Sequence, residues 1–221
     1  MSLYTIAGTV KLAPVTLPEG LTMEESTDIS LLSALGTVSA EEVQRRLANE
    51  NNAYVAFMNN IPAAFGWVAR GKARIGELGH EMILPTGNRY LWNFRTLETF
   101  RGLGIYPALL QYILQTESKK ANRFWIIHAP ENKASLKGIR KAGFRYTGKL
   151  YSRNGITLLQ ESSIARNYRR LLAEMGILLS TEEPFDCWNC SSPYLKKRTP
   201  TCCCTGTEEK CTGNLITTPV H

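Results

Sequence analysis

Cysteine is missing from the first 186 residues of this 221-residue chain. All six cysteines crowd into the end, at Cys187, Cys190, Cys202, Cys203, Cys204 and Cys211. Disulfides therefore cannot staple the body of the protein, and the composition changes near residues 180–184. No apolar run reaches the length of a membrane span, so no membrane partner is expected. The opening MSLYTIAGTV has neither a basic n-region nor an apolar h-region. No secretory signal is read there, and a cytoplasmic location is expected. Internal repeats are absent, which excludes a solenoid. Lysine and arginine give a net charge of +7 but lie dispersed, with no stripe interleaved with aromatics. Nucleic acid is therefore not an expected partner. The charge fits an anionic ligand or a basic surface kept for solubility.

What is present is an ordinary globular composition, 43% hydrophobic and 20% charged. The expected organisation is one α/β domain over residues 1–180 and a Cys-rich extension over 181–221. Residues 4–15 alternate loosely and read as an extra strand. Leu17-Pro18-Glu19-Gly20 marks a turn, followed by a strand at 21–25 and a short helix at 28–35. Ser39 with Glu41 and Glu42 behind it starts a helix that runs to about residue 48. Residues 52–58 and 61–70 read as a hairpin around Asn59-Asn60. A strand at 72–83 and one at 89–97 come next. Leu103, Leu109, Leu110, Ile113 and Leu114 give 103–119 a helical apolar face. A buried strand at 124–129, a helix at 132–142 closed by Gly143, strands at 144–150 and 156–159, and a helix at 161–175 complete the body.

The densest information lies in residues 96–110, TLETFRGLGIYPALL. A strand runs into a turn holding Gly102 and Gly104, and a helix begins at once. The first N–H groups of a helix have no internal partner and sit at the positive end of its dipole. Glycine lets an anion approach the backbone, so this order builds a phosphate cradle. Pro107 falls in the first helical turn, where its missing N–H costs little. A second motif, NKASLKGIRKAGF, spans residues 132–144. Asn132 suits a helix N-cap.

Together Arg101, Gly102 and Gly104 with Asn132, Ser135, Lys141, Gly143 and Phe144 resemble the two signatures of the GNAT acyltransferase superfamily. The resemblance covers roughly residues 20–156. Tyr106 departs from it, standing where a small residue is expected. The resemblance implies a mixed α/β sheet, with strands 89–97 and 124–129 parallel, central and splayed apart to admit the pantetheine arm of coenzyme A. It implies acetyl-CoA as donor, an amine acceptor of unstated identity, and direct attack in a ternary complex. The implied cofactor-binding set is Thr96, Leu97, Arg101, Gly102, Leu103, Gly104, Ile105, Tyr106, Asn132 and Ser135. A homodimer is among the expected assemblies.

Acyl transfer from a thioester to an amine needs a base for the amine, a donor for the oxyanion and a proton for the departing thiolate. The tyrosine that GNAT members often place four residues before the closing glycine is Ile139 here. The strand at 89–97 holds no carboxylate. Glu81 is the candidate base, with Glu77 and His80 beside it. Tyr106 and Tyr146 are the candidate acids, and His128 a candidate relay. A backbone N–H near residues 95–97 is the expected oxyanion donor. The missing groups also fit a second reading, a non-catalytic acyl-CoA-binding sensor or interaction module.

In the extension, Cys187-Trp188-Asn189-Cys190 has zinc-knuckle spacing. Cys187, Cys190, Cys203 and Cys211 form a candidate structural zinc set. Disulfides and free thiols are the other two states open to these residues.

Overall fold

The structure, a computed structural model, describes residues 1–130 and 132–182. All six cysteines, and with them the candidate zinc set Cys187, Cys190, Cys203 and Cys211, lie outside the described residues. Among the described residues no helix is long and apolar enough to cross a membrane.

The first strand, β1 (Ser2–Ala7), does not border the sheet but sits inside it. It pairs antiparallel with β8 (Arg123–His128) on one side and with β9 (Arg145–Arg153) on the other. It stops at Ala7 rather than continuing to residue 15. At Gly8 the chain passes so close to Ala121 that a Cβ would lie 2.4 Å from its carbonyl oxygen. The full order is β11-β10-β9-β1-β8-β7-β4-β3-β2. The other members are β2 (Leu21–Ser26), β3 (Asn51–Met58), β4 (Ile61–Ala69), β7 (Asn88–Thr96), β10 (Ile156–Gln160) and β11 (Ile177–Ser180). The turn between β3 and β4 places Asn59 and Asn60 at φ 49° and 64°. That is the left-handed pair a tight hairpin demands, and Asn accepts it.

Side chains alternate across the sheet and load both faces. On one face Tyr54, Ala56, Leu91 and Ile126 pack under α3 (Ile105–Glu117) and α4 (Lys133–Lys141). On the other, Ala53, Val55, Phe65 and Trp67 pack under α1 (Ile29–Gly36) and α2 (Ala40–Ala48). Farther along that second face Leu3, Tyr90, Trp125 and Leu159 meet α5 (Ser163–Asn167) and α6 (Arg169–Glu174). Helix ends carry the expected caps: Ser39 accepts from the Glu42 N–H at 3.2 Å, and Asn132 from the Ser135 N–H at 2.9 Å.

Two expected elements are divided. Residues 72–83 form a separate hairpin, β5 (Lys72–Ile75) and β6 (His80–Ile83), around a 3₁₀ turn at Gly76–Leu78. Gly79, at φ 61°, reverses the chain. The helix expected at 161–175 breaks at Tyr168, whose ring packs edge-on against Trp125 at 5.7 Å. The strand β11 that follows pairs parallel with β10 and was not expected.

One ion-paired cluster pins α3 to the sheet. Glu117, 2% exposed, accepts from Arg89 Nε, Arg70 Nη2 and the Tyr54 hydroxyl, each at 2.8 Å. Burial pushes the Glu117 carboxyl up, but the bonds from Arg70, Arg89 and Tyr54 together outweigh it and hold it below the ordinary carboxylate range.

Candidate functional site

The parallel strands β7 and β8 stay in register only from Asn88↔Arg123 to Leu91↔Ile126. Beyond that point β7 continues to Thr96 on β4 alone, and β8 to His128 on β1 alone. A gap therefore opens in the middle of the sheet, as the strand splay expected from the sequence requires. Its β7 edge is irregular. Trp92 faces Trp67 and Arg95 faces Phe65, so Asn93 and Phe94 together oppose Gly66. Asn93 takes the extra position at φ 51°. Such a bulge turns backbone groups away from the ladder.

Two aromatic rings fill the helix side of this gap because two glycines make room for them. A Cβ at Gly66 would lie 2.1 Å from Phe94, and a Cβ at Gly138 would lie 2.3 Å from Tyr106. The rings meet each other edge to face at 5.5 Å. Tyr106 thus reaches from the first turn of α3 across to α4, with its hydroxyl 3.4 Å from Ser135 Oγ. Burial drives the Tyr106 phenol up, with the Ser135 bond acting the other way, to about 12. It is a protonated donor at neutral pH.

The glycine turn lies directly before this ring. Gly102 and Gly104 both sit at φ 81°, where a side chain is strained, and a Cβ on either would meet nothing within 4 Å. Gly104 is the N-cap of α3 and supplies no side-chain bond, so the first N–H groups face open space. Arg101 orders the turn, donating to the Thr96 carbonyl at 3.3 Å and to Glu98 at 3.1 Å. Of the remaining sequence candidates, Leu103 is exposed, whereas the Ile105 side chain is buried in the core. Leu97 spends its N–H on the Ala63 carbonyl at 2.9 Å and is not a free donor. Asn132 caps α4 beside Ser135.

A cleft of about 980 Å³ runs through the gap. Tyr106, Asn132 and Ser135 line its helix side, Leu91–Phe94 and Ile126–Ile127 its waist, and α2 with the β5–β6 hairpin its far mouth. Glu77 and Glu81 stand at that mouth. His80 does not join them, since its ring bonds the Met175 carbonyl at 2.9 Å. His128 is buried and bonds the Asn132 carbonyl at 2.8 Å, tying the end of β8 to the start of α4. Tyr146 is not brought to the cleft. It sits on β9, which β1 separates from the gap, and packs against Tyr4 at 5.6 Å. Ile139 is fully buried on the inner face of α4, so that position faces the core. Sequence reasoning missed the α2 wall, with Glu42, Arg45 and Arg46. Their spacing reads as ordinary surface pairing on a helix.

No protein-family model and no curated protein matches the chain. Solved structures similar to it include an aminoglycoside acetyltransferase, meta-AAC0020, from an uncultured soil metagenomic sample, in complex with sisomicin. That likeness has 13% identity, covers 56% of this chain and 88% of that one, and has a TM-score of 0.45. A GCN5-related N-acetyltransferase from Kribbella flavida is 17% identical over 66% of this chain and 53% of that chain, with a TM-score of 0.48. A predicted acetyltransferase with acetyl-CoA from Clostridium acetobutylicum is 19% identical over 61% of this chain and 96% of that chain, with a TM-score of 0.42. The chain thus spans about half the length of the Kribbella protein.

Proposed function

We propose that the protein transfers an acyl group, most simply acetyl, from a coenzyme A thioester to an amine by direct attack. The observation that carries this reading is the strand gap leading away from an uncapped, glycine-gated helix N-terminus. The residues present fit coenzyme A. The N–H groups of residues 103–106 make an anion cradle with clear space before Gly102 and Gly104. The unpaired edges of β7 and β8 offer backbone bonds to an extended, amide-containing arm. When bound, the thioester supplies an activated acyl carbon at the waist of the cleft.

Each remaining task falls to a group already in place. Glu81 at the far mouth takes the proton that the attacking amine must lose, directly or through water. Backbone N–H groups of the Asn93–Phe94 bulge serve the developing oxyanion in place of Leu97. The C–N bond forms, the C–S bond breaks, and the Tyr106 hydroxyl gives its proton to the sulfur. Tyr106 therefore stands in for the phenol that Ile139 lacks, reaching over Gly138 from the neighbouring helix.

The test is thiol release during incubation with acetyl-CoA and a panel of amines, beside calorimetry of coenzyme A binding. The reading expects turnover on at least one amine. It also expects Gly104→Val to weaken binding at least tenfold while the circular dichroism spectrum is unchanged. Binding with no turnover on any amine would leave the sensor reading standing instead. Parent-like affinity in a folded Gly104→Val variant would refute the cradle.

A further inference from the structure

The far mouth of the cleft contains an arginine whose surroundings ask for a ligand. Arg46, on α2, lays its guanidinium over two adjacent tryptophans, 5.3 Å from the Trp67 ring and 4.8 Å from the Trp92 ring. Its side chain is 11% exposed and lines the cleft. Its Nε donates to Glu42 at 2.8 Å. Among the described residues the other end of the fork is unspent: Nη1 is buried with no acceptor, and no bond is made by Nη2. An unpaired buried donor is destabilising, and a buried guanidinium is stable only with an acceptor at hand.

Glu42 cannot fill that need, because both of its oxygens are already taken. Arg45 approaches one at 2.6 Å and the other at 2.9 Å, and Arg46 Nε holds the second. The trio is left with one net positive charge. The stacking rings fix the plane of the fork, which suits a planar carboxylate better than a point anion. Across the mouth, Glu77 and Glu81 carry the opposite sign and make no ion pair among the described residues. The α2 wall thus favours an anion, while on the hairpin side Glu77 and Glu81 stand beside Lys72 and Arg74 and offer an ammonium its acceptors.

We infer that the acceptor is a zwitterion, an amino acid or short peptide whose carboxylate sits on Arg46 while its amine faces the gap. This rests on the acyl-transfer reading for what happens to the amine, but not for the binding itself. Polyamines, which bring only positive charge, would leave the fork unpaired.

The experiment compares each of the twenty L-amino acids with its carboxamide by calorimetry on the full chain, with spermidine alongside and coenzyme A binding as the reference. At least one acid should bind tenfold or more tightly than its amide. Arg46→Lys keeps the charge and the stem but loses the fork. It should bring acid and amide within about twofold while leaving coenzyme A affinity unchanged. Equal affinity for acid and amide in the parent, or spermidine bound with no amino acid bound, overturns the inference. Failure of coenzyme A to bind would overturn the acyl-transfer reading only, since the acid-over-amide ratio decides Arg46 by itself.

Discussion

Replacing Glu117 by glutamine tests how the cleft is held in place. The substitution keeps the shape and removes the charge that Arg89, Arg70 and the Tyr54 hydroxyl all address. Arg89 is 9% exposed and Glu117 2%, so the pair is shielded from solvent, whereas Arg70 at 31% can turn outward. Removing one partner of a buried pair leaves an uncompensated charge, which costs about 3–5 kcal/mol. For a domain of this size each kcal/mol moves Tm by roughly 2–4 °C, so a loss of about 6–20 °C is expected. Urea unfolding followed by tryptophan fluorescence gives the free energy directly. The pH dependence supplies an independent sign. The folded carboxyl titrates below its ordinary value of 4.5, so the unfolded chain binds more protons in that window. The stabilisation is therefore complete above about pH 4.5 and lost as pH falls through the folded value. The Gln variant should lose that part of the acid slope. A variant within 1 kcal/mol of the parent, with the same acid slope, would refute the argument.

Four further outcomes are expected. Tyr106→Phe should lower the rate of thiol release about 10²-fold or more with unchanged coenzyme A affinity. A parent-like rate would mean the thiolate leaves without the phenol. With the phenol near 12, the parent's rate should show no alkaline loss from this group below about pH 11. Ile139→Tyr should destabilise the fold by about 1–3 kcal/mol, because the position is fully buried and a larger ring overpacks it. Unfolding at the parent's urea midpoint would refute this. For the extension we propose that Cys187 and Cys190 share one zinc ion with Cys203 and Cys211. Elemental analysis should find close to one equivalent, and less than about a tenth, with titratable thiols, would refute the site.

The parts of the site that were legible in the sequence are those encoded locally. Gly102 and Gly104 announce a left-handed turn before a helix, and Asn132 announces a cap, because each residue type answers a backbone demand within a few positions. Ile139 and the carboxylate-free strand 89–97 were equally plain. What was not legible depends on partners far along the chain. Nothing within residues 2–7 says that β1 will lie between β8 and β9, and that placement is what removes Tyr146 from the gap. Tyr106 looked like a departure from a pattern. Only the folded chain shows that Gly138, 32 positions later, is the space its ring occupies. The strand expected at 72–83 hid a hairpin, although Gly76 and Gly79 gave the signal for a reversal. Arg46 resembled a solvated i,i+4 partner of Glu42, and its stacking on Trp67 and Trp92 comes from three separate elements.

The interior position of β1 also sets an order of events during synthesis. Ser2 pairs with His128 and Lys149, so this strand is made long before either of its neighbours. At roughly 5–20 residues per second, it waits about 6–30 s after leaving the ribosome tunnel's reach before those partners exist. Once made, the β9–β11 side of the sheet joins the rest through β1, because β1 is its bridge to β8. Completion of the fold is therefore a late, long-range closure, the kind that slows folding most. During that interval both edges of β1 are unpaired and open to any passing strand, and β8 and β9 of another chain are the best match available.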